Sequence, residues 1–391
     1  MNKLKRAALA FMVVPLLGAL MQAQTFTDIF NFAYPPTGDF PLAGVVEDSA
    51  GNLYGTAFFY GSYFYGVVYK VSSSGTETVL YNFLGSSDGG YPSAPVIRDG
   101  KGNLYGTTAE FGGSDSCGVV FKVNTAGTET VLHTFAGGTS DGCYPYQGLV
   151  MDEKGNLYGT TSAGGAYSYG TVFKVTPKGT EILLHSFEGG SSDGESPFYG
   201  HLLMDKAGDL YGLTEEGGGG TGCDNFGHGC GVLYKLTQNG TLTVLHSFAG
   251  GTSDGCFPLG SVAIDKAGNF YGTTEGCGSS NGGTVWELSK RGTETILHNF
   301  AGGYSDGCSP FAGVVLDSKG NLYGDTLECG AVDDGTVWEL SNGTLTLLHS
   351  FDSSDGALPV GELLRTAKGE LFGTTEFGGT YGRGVVWSYV P

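Results

Sequence analysis

Residues Gly51–Thr56 read Gly-Asn-Leu-Tyr-Gly-Thr, and copies of this hexapeptide recur along the chain. Intact copies stand at Gly102–Thr107 and Gly155–Thr160, and variants follow at Gly208–Leu213, Gly268–Thr273, Gly320–Asp325 and Gly369–Thr374. The tyrosine, which is phenylalanine in the last copy, advances by 51, 53, 53, 60, 52 and 49 residues. Self-similarity at this period predicts a repeat protein, in which each unit buries its apolar face against its neighbour.

Each unit contains four runs that are typical of β-strands. In the third copy these are Gly148–Asp152, Asn156–Thr161, Gly170–Val175 and Thr180–Phe187, separated by glycine-containing turns and loops. Four short strands in roughly 50 residues is the spacing of a propeller blade. The sequence therefore predicts an all-β fold, a seven-bladed β-propeller with four-stranded blades.

The two ends of the chain complement each other. Thr25–Phe32 aligns with the fourth strand of a unit, although no first three strands precede it. The last unit supplies only three strands, at Gly361–Arg365, Glu370–Thr375 and Gly384–Tyr389. We expect the N-terminal strand to complete the last blade, because this closes the ring and leaves no unpaired blade edge. We also expect a monomer.

Residues 1–23 are typical of a secretory signal peptide. Three basic residues precede an apolar stretch from Ala7 to Leu20 that is short for a membrane span, and small residues lie near Ala23. Cleavage there would leave residues 24–391 as one propeller domain, and an uncleaved membrane anchor is the alternative. We expect a secreted protein, extracellular or periplasmic, without membrane insertion after cleavage.

The composition is acidic and rich in glycine and aromatic residues. The chain has 19 Lys and Arg against 39 Asp and Glu, a net charge of −20. Such a charge repels nucleic acid and anionic membranes, so nucleic acid is not an expected partner. With 71 glycines and 13% aromatic residues, the composition favours short strands and tight turns over disorder.

Three recurring segments carry a resemblance to a known family. They are Gly-Asn-Leu-Tyr-Gly-Thr-Thr at Gly155, Gly-Thr-Val-Phe-Lys-Val at Gly170 and Leu-His-Ser-Phe at Leu184. These segments recur in fixed order across the mature chain. The pattern resembles the GloVer-type (choice-of-anchor) tandem repeat family of exported bacterial proteins. The resemblance implies export and, in many members, a C-terminal anchoring segment. It implies no catalytic residues, and because this sequence ends in a blade strand, it leaves attachment to the cell surface open.

Two classes of loop are expected on one face of the propeller, because they follow the second and fourth strands of each blade. The first class carries Glu110, Glu215, Glu275, Glu328 and Glu376. The second class carries an aspartate before glycine in six copies: Asp88, Asp141, Asp193, Asp254, Asp306 and Asp355. Carboxylates beside backbone carbonyls suit a hard cation, so calcium is the one cofactor that the sequence suggests, at these aspartates. The alternative is ordinary Asp-Gly turn chemistry with solvated glutamates.

Other periodic residues are interpreted as structural. Five histidines take a position that Tyr81 and Phe30 fill elsewhere, so we expect them to pack between blades and not to bind metal: His133, His185, His246, His298 and His349. The hexapeptide tyrosines are expected to be buried, and aspartates such as Asp48, three residues before a glycine, are expected to close turns.

Eight cysteines in an exported chain suggest disulfides. Pairing neighbours in sequence uses all of them, as Cys117 with Cys143, Cys223 with Cys230, Cys256 with Cys277 and Cys308 with Cys329. Only the last two pairs would share one geometry within the repeat, so the connectivity stays open.

The 60-residue step contains the one break in the symmetry. Its insert, Glu215–Cys230, carries Glu215, Glu216, Asp224 and His228. Catalysis needs an asymmetric constellation, so Glu215 and Glu216 are the candidate catalytic residues. The alternative is a disulfide-tied surface loop.

Repetition favours binding over catalysis, because copies of one shallow site give avidity. The sequence therefore favours an exported, non-catalytic propeller that binds a polysaccharide or a protein partner through its loop face. Phe111, Tyr144, Tyr167 and Phe377 are loop aromatics available either for stacking on sugars or for packing. A propeller enzyme of the glycoside hydrolase or lyase class, acting on extracellular polysaccharide, is one alternative. A structural cell-surface protein is another.

Overall fold

The computed structural model describes residues 24–223 and 227–391. The proposed signal peptide at 1–23 and Asp224 lie outside these residues. Within them, the chain forms seven four-stranded antiparallel sheets, which are the blades of a β-propeller, as the repeat predicts. We number the blades along the chain and name their strands inner, second, third and outer in chain order.

The inner strands are only two residues long and the other three are five to seven residues long. The inner strands are Val46–Glu47, Ile97–Arg98, Val150–Met151, Leu203–Met204, Ala263–Ile264, Val315–Leu316 and Leu364–Arg365. The second strands are Leu53–Ala57, Leu104–Thr108, Leu157–Thr161, Leu210–Thr214, Phe270–Thr274, Leu322–Thr326 and Leu371–Thr375. The third strands are Val67–Val71, Val119–Val123, Thr171–Val175, Val232–Leu236, Thr284–Leu288, Thr336–Ser341 and Val385–Val390. The outer strands are Glu77–Asn82, Glu129–Thr134, Glu181–Ser186, Leu242–Ser247, Glu294–Asn299, Thr344–Ser350 and, from the N-terminus, Thr25–Asn31.

The N-terminal strand closes the ring. Thr25–Asn31 pairs antiparallel with Val385–Val390, with Thr25 opposite Val390 and Asn31 opposite Val385. The prediction that the first strand completes the last blade is therefore confirmed. The third strand of the last blade therefore has a partner on both sides and does not form an unpaired edge.

Aromatic contacts fill the space between adjacent blades. Each outer strand is followed by a fully buried phenylalanine whose ring meets an aromatic ring on the third strand of the next blade. Phe83 and Phe121, for example, have ring centroids 5.1 Å apart in an edge-to-face arrangement. The phenylalanines are Phe32, Phe83, Phe135, Phe187, Phe248, Phe300 and Phe351. The core is thus divided among the blade interfaces, as expected when a repeat buries its apolar face against its neighbour.

The turn between inner and second strands is closed by the aspartate that the sequence indicated. Asp48 accepts hydrogen bonds at Oδ1 from the N–H groups of Ala50 and Asn52, both at 2.9 Å. Its Oδ2 accepts one from the hydroxyl of Tyr54 at 3.0 Å. The interpretation of this aspartate as a turn former is therefore confirmed. The tyrosine takes part in the same turn, but Tyr54 is half-buried and not buried as expected.

Helix is nearly absent from the described part of the chain. The one helical segment there is the 3-10 turn Gly190–Ser192. No helix in that part combines the length and the hydrophobicity that crossing a bilayer requires.

Candidate functional site

The loops after the second and outer strands meet on one face of the propeller, which we call the loop face. They pair there as two-stranded ribbons, so the predicted common face of the two loop classes is confirmed. The ribbons join Gly38–Asp39 with Phe59–Tyr60, Gly142–Cys143 with Ala163–Gly164, Gly194–Glu195 with Glu216–Gly217, Gly255–Cys256 with Gly276–Cys277, and Gly307–Cys308 with Glu328–Cys329.

Four disulfides fasten the loop face. They join Cys117 to Cys143, Cys223 to Cys230, Cys256 to Cys277 and Cys308 to Cys329, so the pairing of sequence neighbours is confirmed. Two of them cross a ribbon, and Cys223–Cys230 closes the insert of the fourth blade. Disulfides are typical of proteins that fold in an oxidising compartment.

The six loop aspartates lie just beyond the ends of the outer strands, where they accept hydrogen bonds. Asp141 accepts from the N–H of Ala136 at 2.8 Å and of Gly142 at 2.7 Å, and Nε2 of His133 lies 3.3 Å from its Oδ2. Burial opposes ionisation of Asp141, but these bonds together lower its pKa below the ordinary value. The equivalent pairs are His185–Asp193, His246–Asp254, His298–Asp306, His349–Asp355 and, with tyrosine in place of histidine, Tyr81–Asp88.

These contacts give the aspartates and histidines a structural role. A carboxylate that accepts backbone and histidine hydrogen bonds on both oxygens has few lone pairs left for a cation. The calcium site at these aspartates stays a prediction. The periodic histidines pack edge-on against the buried phenylalanines, as expected, with His133 and Phe135 centroids 4.7 Å apart. Their pairing with the aspartates was not predicted.

A second set of carboxylates converges where the propeller axis opens on the loop face. Glu215, Glu275 and Glu376 each directly follow a second strand, in blades four, five and seven. Below them, Tyr199 lines a narrow axial cavity with Tyr146 and Phe311. We call this region, with its three glutamates and the tyrosines beneath, the axial mouth. Burial, with Tyr146 and the three glutamates close by, raises the pKa of Tyr199 to about 12.

The glutamates of the axial mouth favour their protonated forms more than solvated glutamates do. Burial, reinforced by Glu216 and Glu275, raises the pKa of Glu215 to about 7. Burial raises the pKa of Glu376, and burial together with Glu328 raises that of Glu275. A carboxyl group with the pKa of Glu215 can donate or accept a proton near neutral pH.

The two catalytic candidates from the sequence belong to different places. Glu215 lies at the axial mouth, close to Glu275. Glu216 is the first residue of a ribbon strand and lies opposite Glu195. Sequence reasoning selected both from the insert but supplied no partner for either. The carboxylates that share the axial mouth with Glu215 are Glu275 and Glu376, which come from other blades. The carboxylate opposite Glu216 is Glu195, which comes from the preceding loop.

Further polar residues occupy the axis below the mouth. His201 Nδ1 lies 2.7 Å from Oε2 of Glu362 and 2.9 Å from Oγ of Ser261, so residues of three blades meet there. Although burial opposes protonation of His201, Glu362 raises its pKa. Asp325, 1% exposed, takes the place of a threonine in the hexapeptide, and burial with Glu362 nearby raises its pKa well above the ordinary value. The hexapeptide variant at Asp325 was the one sequence signal for this group.

Exposed aromatic side chains are concentrated in the two loop classes. Of the aromatics proposed from the sequence, Tyr144 and Tyr167 are exposed. Phe111 packs against Tyr65, and Phe377 against Phe40. The exposed aromatics of the described residues are Tyr34, Tyr63, Phe64, Tyr144, Tyr167, Tyr304 and Tyr381, all in loops of this face.

The chain has recognisable relatives at the level of its repeat and its fold. The family model described as the Gloeobacter/Verrucomicrobia repeat matches residues 19–226 and 220–391. Among curated proteins, none matches. A fungal alcohol oxidase of the AA5 family, solved with copper, has a TM-score of 0.54 at 14% identity, over 94% of this chain and 76% of the oxidase. PorZ, a surface component of the type-IX secretion system of Porphyromonas gingivalis, has a TM-score of 0.51 at 14% identity, over 92% of this chain and 47% of PorZ. At these identities the likeness shows the propeller fold alone.

Proposed function

Because the chain belongs to the Gloeobacter/Verrucomicrobia repeat family, we propose that it is an exported, non-catalytic propeller that binds a polysaccharide through its loop face. The observation that carries the proposal is the surface chemistry of that face. Exposed tyrosines and Phe64 lie in loops of the same face as the axial mouth, which holds three glutamates. Aromatic rings offer flat apolar surfaces for the faces of sugar rings, and carboxylates accept hydrogen bonds from sugar hydroxyls.

The charge of the chain narrows the class of ligand. A protein with a net charge of −20 repels polyanions over distances of roughly a Debye length, about 8 Å at physiological salt. An anionic group at the mouth would add to the repulsion that already raises the pKa of Glu215. We therefore propose a neutral polysaccharide in preference to an acidic one.

The four disulfides and the N-terminal sequence support export. The signal peptide would direct the chain across the inner membrane, and an oxidising compartment would allow the loop-face disulfides to form. We propose an extracellular or periplasmic location for residues 24–391.

The test is a glycan array and affinity electrophoresis with the disulfide-intact protein. We expect retention by a neutral polysaccharide that weakens at least tenfold when Tyr144 and Tyr167 are replaced together by alanine. Ile182→Ala is the matched control, since Ile182 is an exposed apolar side chain on an outer strand, away from the loops. Binding that survives the double replacement would contradict the proposal. A blank array would favour a protein partner or a structural surface role.

A glycoside hydrolase is the second candidate, favoured by the raised pKa of Glu215 beside Glu275. One protonated and one ionised carboxyl group are what such an enzyme needs. Release of reducing ends from the bound polysaccharide would support it. Turnover would then fall by roughly 10²-fold or more in Glu215→Gln, with binding retained. Glu153→Gln is the control, because Glu153 is an exposed carboxylate in the turn between the inner and second strands of the third blade.

A further inference from the structure

The insert of the fourth blade brings three potential metal ligands together outside the axial mouth. Glu195 and Glu216 are directly opposite each other in a ribbon. Nδ1 of His228 lies 3.2 Å from Oε1 of Glu195. One nitrogen or oxygen from each of the three side chains lies within 4.8 Å of the other two.

The two glutamates conflict electrostatically. Like charges directly opposite each other on paired strands are destabilising, and Glu195 is only 5% exposed. Burial, reinforced by Glu216, raises the pKa of Glu195 although His228 opposes the change. Nδ1 of His228 is within hydrogen-bond distance of Oε1 of this carboxylate. A buried carboxylate that faces a second carboxylate is an environment that a bound cation would stabilise.

The insert holds His228 over this pair. The N–H of Gly217 donates to the carbonyl of His228 at 2.7 Å, and the disulfide Cys223–Cys230 closes the loop around it. In three other loops the residue equivalent to Glu195 is a cysteine in a disulfide: Cys143, Cys256 and Cys308. At the position of Glu195, the fourth blade thus has three polar side chains where these loops have a disulfide.

We propose that Glu195, Glu216 and His228 bind a divalent first-row transition metal, for which Zn²⁺ is the probe. Imidazole and carboxylate ligands suit Zn²⁺, at bond lengths of about 2.0–2.2 Å. Two such ligands of a tetrahedral ion lie roughly 3.3 Å apart, which agrees with the 3.2 Å between His228 and Glu195. The His228 side chain is 47% exposed, which leaves room for water or another ligand in the fourth position. Calcium would require six to eight oxygen ligands, which these three residues do not supply.

The test measures Zn²⁺ binding by the full mature protein after removal of metal with a chelator. Equilibrium dialysis and calorimetric titration with ZnCl₂ are expected to give one strongly bound ion per chain. We expect His228→Ala and Glu195→Gln each to weaken this binding at least tenfold. Glu188→Gln is the matched control and should leave binding unchanged, because Glu188 is an exposed carboxylate in the same loop, hydrogen-bonded to Tyr167.

Three results would overturn the proposal. One is the absence of stoichiometric Zn²⁺ binding by the wild-type chain. Another is unchanged affinity in His228→Ala, an exposed replacement that should leave the fold intact, as thermal melting would verify. The third is loss of binding in His246→Gln with retention in His228→Ala, because His246, Asp254 and Glu294 form a second group of this kind. Excess Ca²⁺ should not displace the bound Zn²⁺, and displacement would equally contradict the proposed site.

Discussion

At the scale of single residues, the glycine in the middle of each second strand meets the largest side chains of the core. Gly106 is paired with Phe121 on the third strand, and a β-carbon at Gly106 would lie 2.7 Å from the phenyl ring. The same contact recurs in every blade, with tyrosine, phenylalanine or tryptophan as the neighbour. The fifth position of the hexapeptide is therefore glycine because an aromatic ring lies on the strand backbone there.

This contact predicts a sharp difference between two alanine substitutions in one blade. Gly106→Ala should lower the free energy of unfolding by about 1–3 kcal/mol, because the added methyl group overpacks a closed core. Gly100→Ala should be neutral or slightly stabilising, since nothing lies within 4 Å of an added β-carbon and the backbone does not have a positive φ. Denaturant unfolding of both variants measures the difference. Equal stability of the two would contradict the packing explanation.

At the scale of elements, the ribbons of the loop face are fastened in two ways. Cys256 and Cys308 form disulfides across their ribbons. At the equivalent position of the first ribbon, Asp39 is fully buried and accepts a hydrogen bond from Arg383 at 2.8 Å. The guanidinium of Arg383 also lies over the ring of Tyr34, 4.3 Å from its centroid. An ion pair thus takes the place of a disulfide where the chain's two ends meet.

Removing one partner of this ion pair should cost more than removing both. Arg383→Ala leaves a buried, unpaired carboxylate, and we expect it to lower the free energy of unfolding by about 3 kcal/mol. The double variant Asp39→Asn/Arg383→Ala should recover part of that loss. A double-mutant cycle by chemical denaturation checks this. Additive effects of the two single changes would show that Arg383 stabilises through Tyr34 instead.

The sequence predicted elements well because their signals are local or periodic. Hydrophobic runs, turn aspartates such as Asp48 and the spacing of the hexapeptide indicate strands, turns and blade number without reference to distant residues. The axial mouth could not be predicted in this way. Glu215, Glu275 and Glu376 are separated by 60 and 101 residues, and only the closure of the ring brings them near Tyr199. Glu195 was missed because it stands where other copies have cysteine.

At the scale of the whole molecule, ring closure depends on one N-terminal strand. Deletion of residues 24–31 would expose the third strand of the last blade, Val385–Val390, along its full length. We expect a lower melting temperature and association of the truncated chain, because an unpaired edge strand is a template for pairing with other chains. Thermal melting and size-exclusion chromatography measure both effects. A synthetic peptide of residues 24–32 should restore the wild-type behaviour, and an unaltered, monodisperse truncated protein would contradict the closure argument.

The closing strand also makes the ring sensitive to pH. Burial, reinforced by Asp355 and Asp352 and opposed by His349 and Asn31, raises the pKa of Asp28 from 3.8 to about 6. A carboxyl group whose pKa is higher in the folded than in the unfolded state stabilises the fold fully only below its unfolded value. That contribution is lost as the pH rises through about 6. Ionised Asp28 therefore weakens closure at pH 8 relative to pH 5.

Asp28→Asn should remove this pH dependence, because asparagine stays neutral. We expect the variant to melt above the wild type at pH 8, by about 2 °C for each kcal/mol that it adds to the free energy of unfolding. At pH 5 the difference in melting temperature should be smaller. Glu47→Gln is the control, because it also removes a carboxylate but an exposed one. Melting curves of the three proteins at both pH values measure the effect. An equal shift in Asp28→Asn at pH 5 and pH 8 would mean that packing, and not ionisation, governs the strand.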